Sequence, residues 1–156
     1  MKYLVTGLPR SRTAWTSVFL GCAMHPCNRM VPEDVIKLDS FADPTFLLFW
    51  DEFYDGRKVV VIDRDFYSCM GSAITAFGKG IIPTVEKMER KKQEIIRNVD
   101  CHIVDYNDYD GQALWEFVHG EGFDAEGFKM LSEINMQTML NAETKPEAIS
   151  RIRRAA

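Results

Sequence analysis

Four consecutive residues, Arg10, Ser11, Arg12 and Thr13, stand between Gly7-Leu8-Pro9 and Ala14-Trp15, and together they offer two guanidiniums and two hydroxyls. That donor set suits an oxyanion, because arginine supplies charge-assisted, fork-shaped donors and the hydroxyls add neutral ones. The flanking segments favour the same ligand. Lys2–Thr6 (KYLVT) reads as a short apolar strand, and Thr13 onward (TAWTSVFLGCAM) reads as a helix, so Gly7–Arg12 is the turn between them. A turn that enters a helix aims unpaired N–H groups and the positive end of the helix dipole at whatever sits there. The competing interpretation leaves Arg10 and Arg12 as solvated loop arginines and Thr13 as a helix cap. A triphosphate loop is disfavoured, since that pattern needs two glycines and a lysine, and here there is one glycine and no lysine.

A second group with the same chemistry follows the strand KVVVID at Lys58–Asp63. Arg64 stands directly after that strand, and Ser72 comes eight positions later, two turns into the next helix (RDFYSCMGS). The pair can approach one anion from two sides, which suits a second phosphate; alone, Arg64 could equally pair with Asp63 or Asp65.

The elements that must carry these residues alternate. KVVVID is a continuous β-branched run of the kind buried on both faces of a parallel sheet. Phe66–Phe77 reads as a helix and Thr84–Val99 as a longer amphipathic one, with Val85, Met88, Ile95, Ile96 and Val99 apolar and Lys87, Arg90, Lys91 and Lys92 expected on a solvated face. Glu33–Leu38 is a candidate short strand, and His25–Pro32 is turn-like. Pro44–Tyr54 has aromatics at helical spacing, and Asp55-Gly56 closes it. Cys101–Asp105 is a further strand, followed by helices at Gln112–His119 and within Ala125–Leu140, and by a basic ending, Glu147–Arg154. Strands alternating with helices predict an α/β fold, a short parallel sheet in a three-layer α/β/α arrangement of P-loop type, formed by residues 1–156 as one domain. In such sheets ligands bind at the carboxyl ends of the strands, here Gly7–Thr13, Arg64–Ser72 and Asp105–Asp108.

Totals bound the partners. The chain has 156 residues, 46% hydrophobic and 27% charged, with a net charge of −4, which disfavours general binding to nucleic acid or an anionic membrane and makes any anion site local. No stretch has the length of a membrane span, the amino-terminal apolar run is too short for a signal peptide, and four cysteines lack a disulfide-scaffold spacing; these features predict a cytoplasmic protein. Cys22, His25 and Cys27 are close in sequence, but a fourth ligand is not evident and the spacing is not that of a zinc knuckle or ribbon, so no metal is expected.

Taken together, the segments resemble the sulfotransferases that use 3′-phosphoadenosine-5′-phosphosulfate (PAPS). PRSRTAW at 9–15 is similar to that family's P-[KR]-S-G-T-[TS] loop, which binds the 5′-phosphosulfate, with Arg12 standing where the loop has glycine. RDFYSCMGS at 64–72 keeps the arginine and serine of the motif that holds the 3′-phosphate, with Phe66 in place of its proline. CHIV followed by DYNDY is similar, more loosely, to the strand ending in Y-E-D-L, with Asn107 in place of glutamate. The late glycine- and lysine-containing loop of the family has no evident counterpart after Gly127.

The resemblance implies sulfuryl transfer from PAPS to a hydroxyl or amine on a small-molecule, glycan or peptide acceptor. It implies a cofactor site of Gly7, Pro9, Arg10, Ser11, Arg12, Thr13, Ala14, Trp15, Arg64 and Ser72, with Arg10 bridging the leaving phosphate and the sulfuryl oxygens. The family's tyrosylprotein branch has His-Pro followed by a glutamate base, which matches His25-Pro26 and Glu33, with His25 the alternative base. His102 and His119 are expected to pack or cap. Two rival functions remain at this point: a P-loop nucleotide or small-molecule kinase with Asp63 on magnesium, and a non-catalytic module that keeps only the anion cradle.

Overall fold

The computed structural model describes residues 2–133. Strand β1 (Tyr3–Gly7) is buried along its whole length and runs parallel to β4 (Lys58–Asp63) in the register Tyr3↔Lys58 to Gly7↔Ile62. Both are unbroken apolar runs because both faces of the sheet are covered. Leu4, Val59 and Val61 pack on one side with Phe41, Phe46, Val85, Met88 and Ile95. Tyr3, Val5, Val60 and Ile62 pack on the other with Leu20, Leu114 and Val118. The result is a three-layer α/β/α fold around an all-parallel sheet ordered β2-β3-β1-β4-β5, in which β2 is Ala23–Met24, β3 is Ser40–Ala42 and β5 is Cys101–Asp105.

The helices begin and end for readable reasons. Helix α1 (Thr13–Leu20) stops at Gly21, whose φ of 78° is the left-handed conformation that ends helices. Helices α4 (Phe66–Phe77), α6 (Gly111–His119) and α7 (Ala125–Ser132) are capped by the carboxylates of Asp65, Asp110 and Asp124, which accept from the amides of Ser68, Ala113 and Gly127. Helix α5 (Ile82–Asn98) starts with a proline in its first turn, where a missing N–H costs nothing.

Three expectations are corrected. Glu33–Leu38 is not a strand: Pro32 starts a short helix, α2 (Pro32–Val35), with Glu33 and Asp34 in its first turn, and the strand comes later at Ser40–Ala42. The first helix does not run to Met24, because Gly21 ends it and Ala23–Met24 pairs with β3. The aromatic segment splits at Phe49 into a 3-10 turn (Pro44–Leu48) and the short helix α3 (Trp50–Phe53). The carboxyl half of the Ala125–Leu140 segment and the basic ending lie outside the described residues.

Connections from β1 and from β4 leave in opposite directions, β1 toward β2 and β4 toward β5. The crevice between their carboxyl ends is therefore the switch point at which such sheets bind ligands.

Candidate functional site

The turn after β1 is tight enough to require glycine at its start. A Cβ on Gly7 would stand 2.7 Å from the Ile62 carbonyl oxygen and 2.8 Å from Ser11 Oγ, closer than real Cβ contacts come. Arg10 and Arg12 both adopt positive φ, 70° and 69°, a conformation strained for a residue with a Cβ. Arg12, at ψ 24°, is the residue before α1, and its side chain caps nothing. The first helical bond runs from Thr16 N to Arg12 O, so the amides of Thr13, Ala14 and Trp15 precede the ladder and face the crevice end of the helix.

Arg10, buried only in part, sends Nε to Ser72 Oγ at 3.0 Å, and Arg64 Nη1 donates to the Arg10 carbonyl oxygen at 2.6 Å. The two constellations, more than fifty residues apart in sequence, thus form one cluster in which Arg10, Arg64 and Ser72 touch. The Arg64 guanidinium also lies over the Tyr106 ring, 4.4 Å from its centroid, and Arg12 lies over the same ring at 5.2 Å and over Tyr109 at 6.0 Å. Among the described residues, neither Arg12 nor Arg64 forms an ion pair with a carboxylate. Asp65, which feels the Arg64 charge, spends its carboxylate on the Ser68 amide.

Other expected site residues contribute differently. Ser11 is fully buried and donates its hydroxyl to Leu8 O at 2.5 Å, so it shapes the turn and its proton is already spent. Trp15 packs its ring against Phe19, Tyr109 and Phe128 and donates to Leu131 O, away from the crevice; only its backbone is free to serve an anion. Pro9, Thr13 and Ala14 are buried at the base of the turn.

On the other flank of β1 stands His25, just after β2. Strands about 4.8 Å apart put the ends of β2 and β5 each roughly 10 Å from the end of β1, so the arginine cluster spreads to one side and His25 lies on the other. His25 has φ 49°, and its amide donates to Ala42 O at 2.7 Å. Its turn is fixed by Asp43, a fully buried carboxylate that accepts from the Cys27 amide (2.8 Å), the Thr45 amide (2.8 Å) and the Thr45 hydroxyl (2.6 Å). The same residue is tied to β1, since its amide donates to Val5 O and its carbonyl accepts from Thr6 Oγ1. Burial pushes the His25 imidazole below its usual range, and the Asp43 charge opposes that push. Glu33 is solvent-exposed on α2.

Lys92 corrects the solvated-face reading of α5. It is 1% exposed and reaches Asp63 (3.0 Å), Glu89 (3.0 Å) and the Arg64 carbonyl (3.3 Å), so it anchors the end of β4 from behind. Helical spacing was the available signal, since Lys92 falls seven residues after Val85, four after Met88 and three before Ile95, in the middle of the apolar stripe. Tyr106 falls in the Asp105–Asp108 segment expected at a strand end, but its stacking under Arg12 and Arg64 was not foreseen.

His102 stacks on Phe117, and His119 Nε2 sits 3.0 Å from Leu20 O. Cys27 is in the core, and among the described residues no three His, Cys, Asp or Glu side chains group to hold a metal. A groove of about 740 Å³ opens at the amino ends of the strands, where Lys58 Nζ is already spent on Phe117 O. Among the described residues no helix is long and apolar enough to cross a membrane. Compared with family models, curated proteins and solved structures, the chain matches none.

Proposed function

We propose that the protein is a sulfotransferase-like enzyme that transfers a sulfuryl group from PAPS to a hydroxyl or amine of a small-molecule, glycan or peptide acceptor. The observation that carries this reading is the meeting of Arg10, Arg64 and Ser72 at the mouth of the β1–β4 crevice. Two anion-binding segments joined in one cluster fit a ligand with two anionic groups better than a single phosphate. The donor set fits the nucleotide's chemistry too: guanidiniums, helix-start amides and a hydroxyl, with Arg12 and Arg64 outside any ion pair among the described residues.

When bound, the nucleotide supplies an activated sulfuryl group: a bond from sulfur to the acceptor oxygen or nitrogen forms, the bond to the 5′-phosphate breaks, and adenosine 3′,5′-bisphosphate leaves. The transfer needs little covalent help, so positioned donors do most of the work. Arg10 and the Thr13–Trp15 amides stabilise the charge that grows on the leaving phosphate and sulfuryl oxygens. Arg64 and Ser72 hold the 3′-phosphate. His25 takes the acceptor's proton: its half-buried imidazole is kept neutral by burial and stands on the flank of β1 opposite the arginines, whereas Glu33 stays out in solvent. Four free thiols fit a cytoplasmic setting.

A kinase needs a carboxylate ready for magnesium beside the loop, and Asp63, the candidate for it, is engaged by Lys92. Thermal-shift titration separates the readings, because a ligand that binds only the native state raises apparent stability. Adenosine 3′,5′-bisphosphate without magnesium is expected to stabilise more than ATP with magnesium. Equal shifts would favour the kinase, and no shift with either would leave an anion cradle without nucleotide chemistry.

A further inference from the structure

Arg12 stands in the loop assigned to the 5′ end of the nucleotide, yet its side chain goes elsewhere. Its guanidinium lies over the Tyr106 ring at 5.2 Å, and the guanidinium of Arg64 lies over the same ring at 4.4 Å. Those distances put the two guanidinium carbons less than about 10 Å apart, a span over which two planar forks can close on one phosphate. Two like charges this close need a counterweight, and the Tyr106 π system provides one to both. Tyr106 is itself fixed, because its amide donates to the Asp63 carbonyl at 3.0 Å, and Lys92 braces Asp63 from behind. The backbone gives the same message: Arg12 holds a left-handed conformation at φ 69° that glycine would adopt without strain, so the arginine is kept at a cost.

We propose that Arg12 is a specificity-determining residue for the 3′-phosphate: it shares that phosphate with Arg64 across the Tyr106 ring, and the pair sets the preference for 3′-phosphorylated nucleotides. The inference rests on the donor nucleotide proposed above. It goes beyond it by moving Arg12 from the 5′ to the 3′ half of the site and by giving Tyr106 the role of a positioning residue.

The test uses the full chain and two probes, adenosine 3′,5′-bisphosphate and adenosine 5′-monophosphate, with affinities measured by titration calorimetry. Arg12→Gly removes the guanidinium and keeps the backbone conformation, so the variant is expected to melt no lower than the parent. It should lose at least about tenfold in affinity for the bisphosphate and less than about twofold for the monophosphate, as expected when one charged hydrogen-bonding partner of the 3′-phosphate is lost. Tyr106→Leu should show the same selective loss, and Tyr106→Phe, which keeps the ring, should not. Equal losses for both nucleotides in Arg12→Gly would place Arg12 at the 5′ group and overturn the inference, as would an unchanged preference. A parent protein that binds the two nucleotides equally, or binds neither, would instead overturn the donor reading, and the inference with it.

Discussion

At the scale of single residues, Arg10 and Arg64 are expected to fail in different ways. In the proposed transfer Arg10 faces groups whose charge grows, so Arg10→Ala should cost on the order of 10²–10³ in turnover, with Arg10→Lys recovering part through a point charge that lacks the planar fork. The 3′-phosphate assigned to Arg64 in that proposal does not change during the reaction, so Arg64→Ala should act on nucleotide affinity and leave turnover at saturation nearly intact. Steady-state kinetics on both variants checks the division; loss of turnover in Arg64→Ala alone would reverse it. His25 adds a pH signature. Its folded pKa is depressed by burial, so the neutral base persists below the usual 6.5, and the acid limb of the turnover profile should lie under that value and vanish in His25→Gln. The same shift bears on stability. A depressed histidine binds its proton more readily in the unfolded chain, so its stabilisation is intact above about pH 6.5 and lost as pH falls below it. His102 is shifted in the same direction by burial, so urea titrations of His25→Gln and His102→Gln across that window are needed to separate the two.

At the scale of elements, the crevice depends on how closely β4 approaches β1. Gly7→Ala would push a methyl group against the Ile62 carbonyl and Ser11 Oγ, at an expected cost of about 1–3 kcal/mol in urea denaturation. Because Ser11 ties the turn together, nucleotide affinity should fall as well. Lys92→Met leaves Asp63 and Glu89 without their cation. Breaking a fully buried pair costs about 3–5 kcal/mol, and the 45% exposure of the Asp63 side chain puts this case toward the lower end. If Lys92 only filled space, methionine would be tolerated without loss, which the same denaturation experiment reads directly.

At the scale of the whole molecule, a chain of net charge −4 concentrates three arginines at the carboxyl end of its sheet. Binding of an anionic nucleotide should therefore weaken as salt rises, since exposed charges are screened over a Debye length of about 10 Å at 0.1 M. With the ligand at 100 times its dissociation constant, mass action adds about 2.7 kcal/mol, which for a chain of this size is a rise of roughly 5–10 °C in Tm. A shift that survives high salt undiminished would argue that the arginines do not carry the binding.

The sequence by itself determined the fold class, because the alternation of β-branched runs with helical segments is written in neighbouring residues. It also marked three of the strands: KYLVT, KVVVID and CHIVD became β1, β4 and β5, and the turns after β1 and β4 carry the arginines. Strands of two and three residues, β2 and β3, were not legible, since so short a segment has no period and exists only because a neighbouring strand supplies its hydrogen bonds. The partners that Lys92 meets, the joining of Arg10 to Ser72 across 62 residues and the shared Tyr106 ring were decided by tertiary structure alone. Residue type fixes what a side chain can bind, whereas which group it meets depends on how the sheet orders its strands, and that order follows from burying both faces at once.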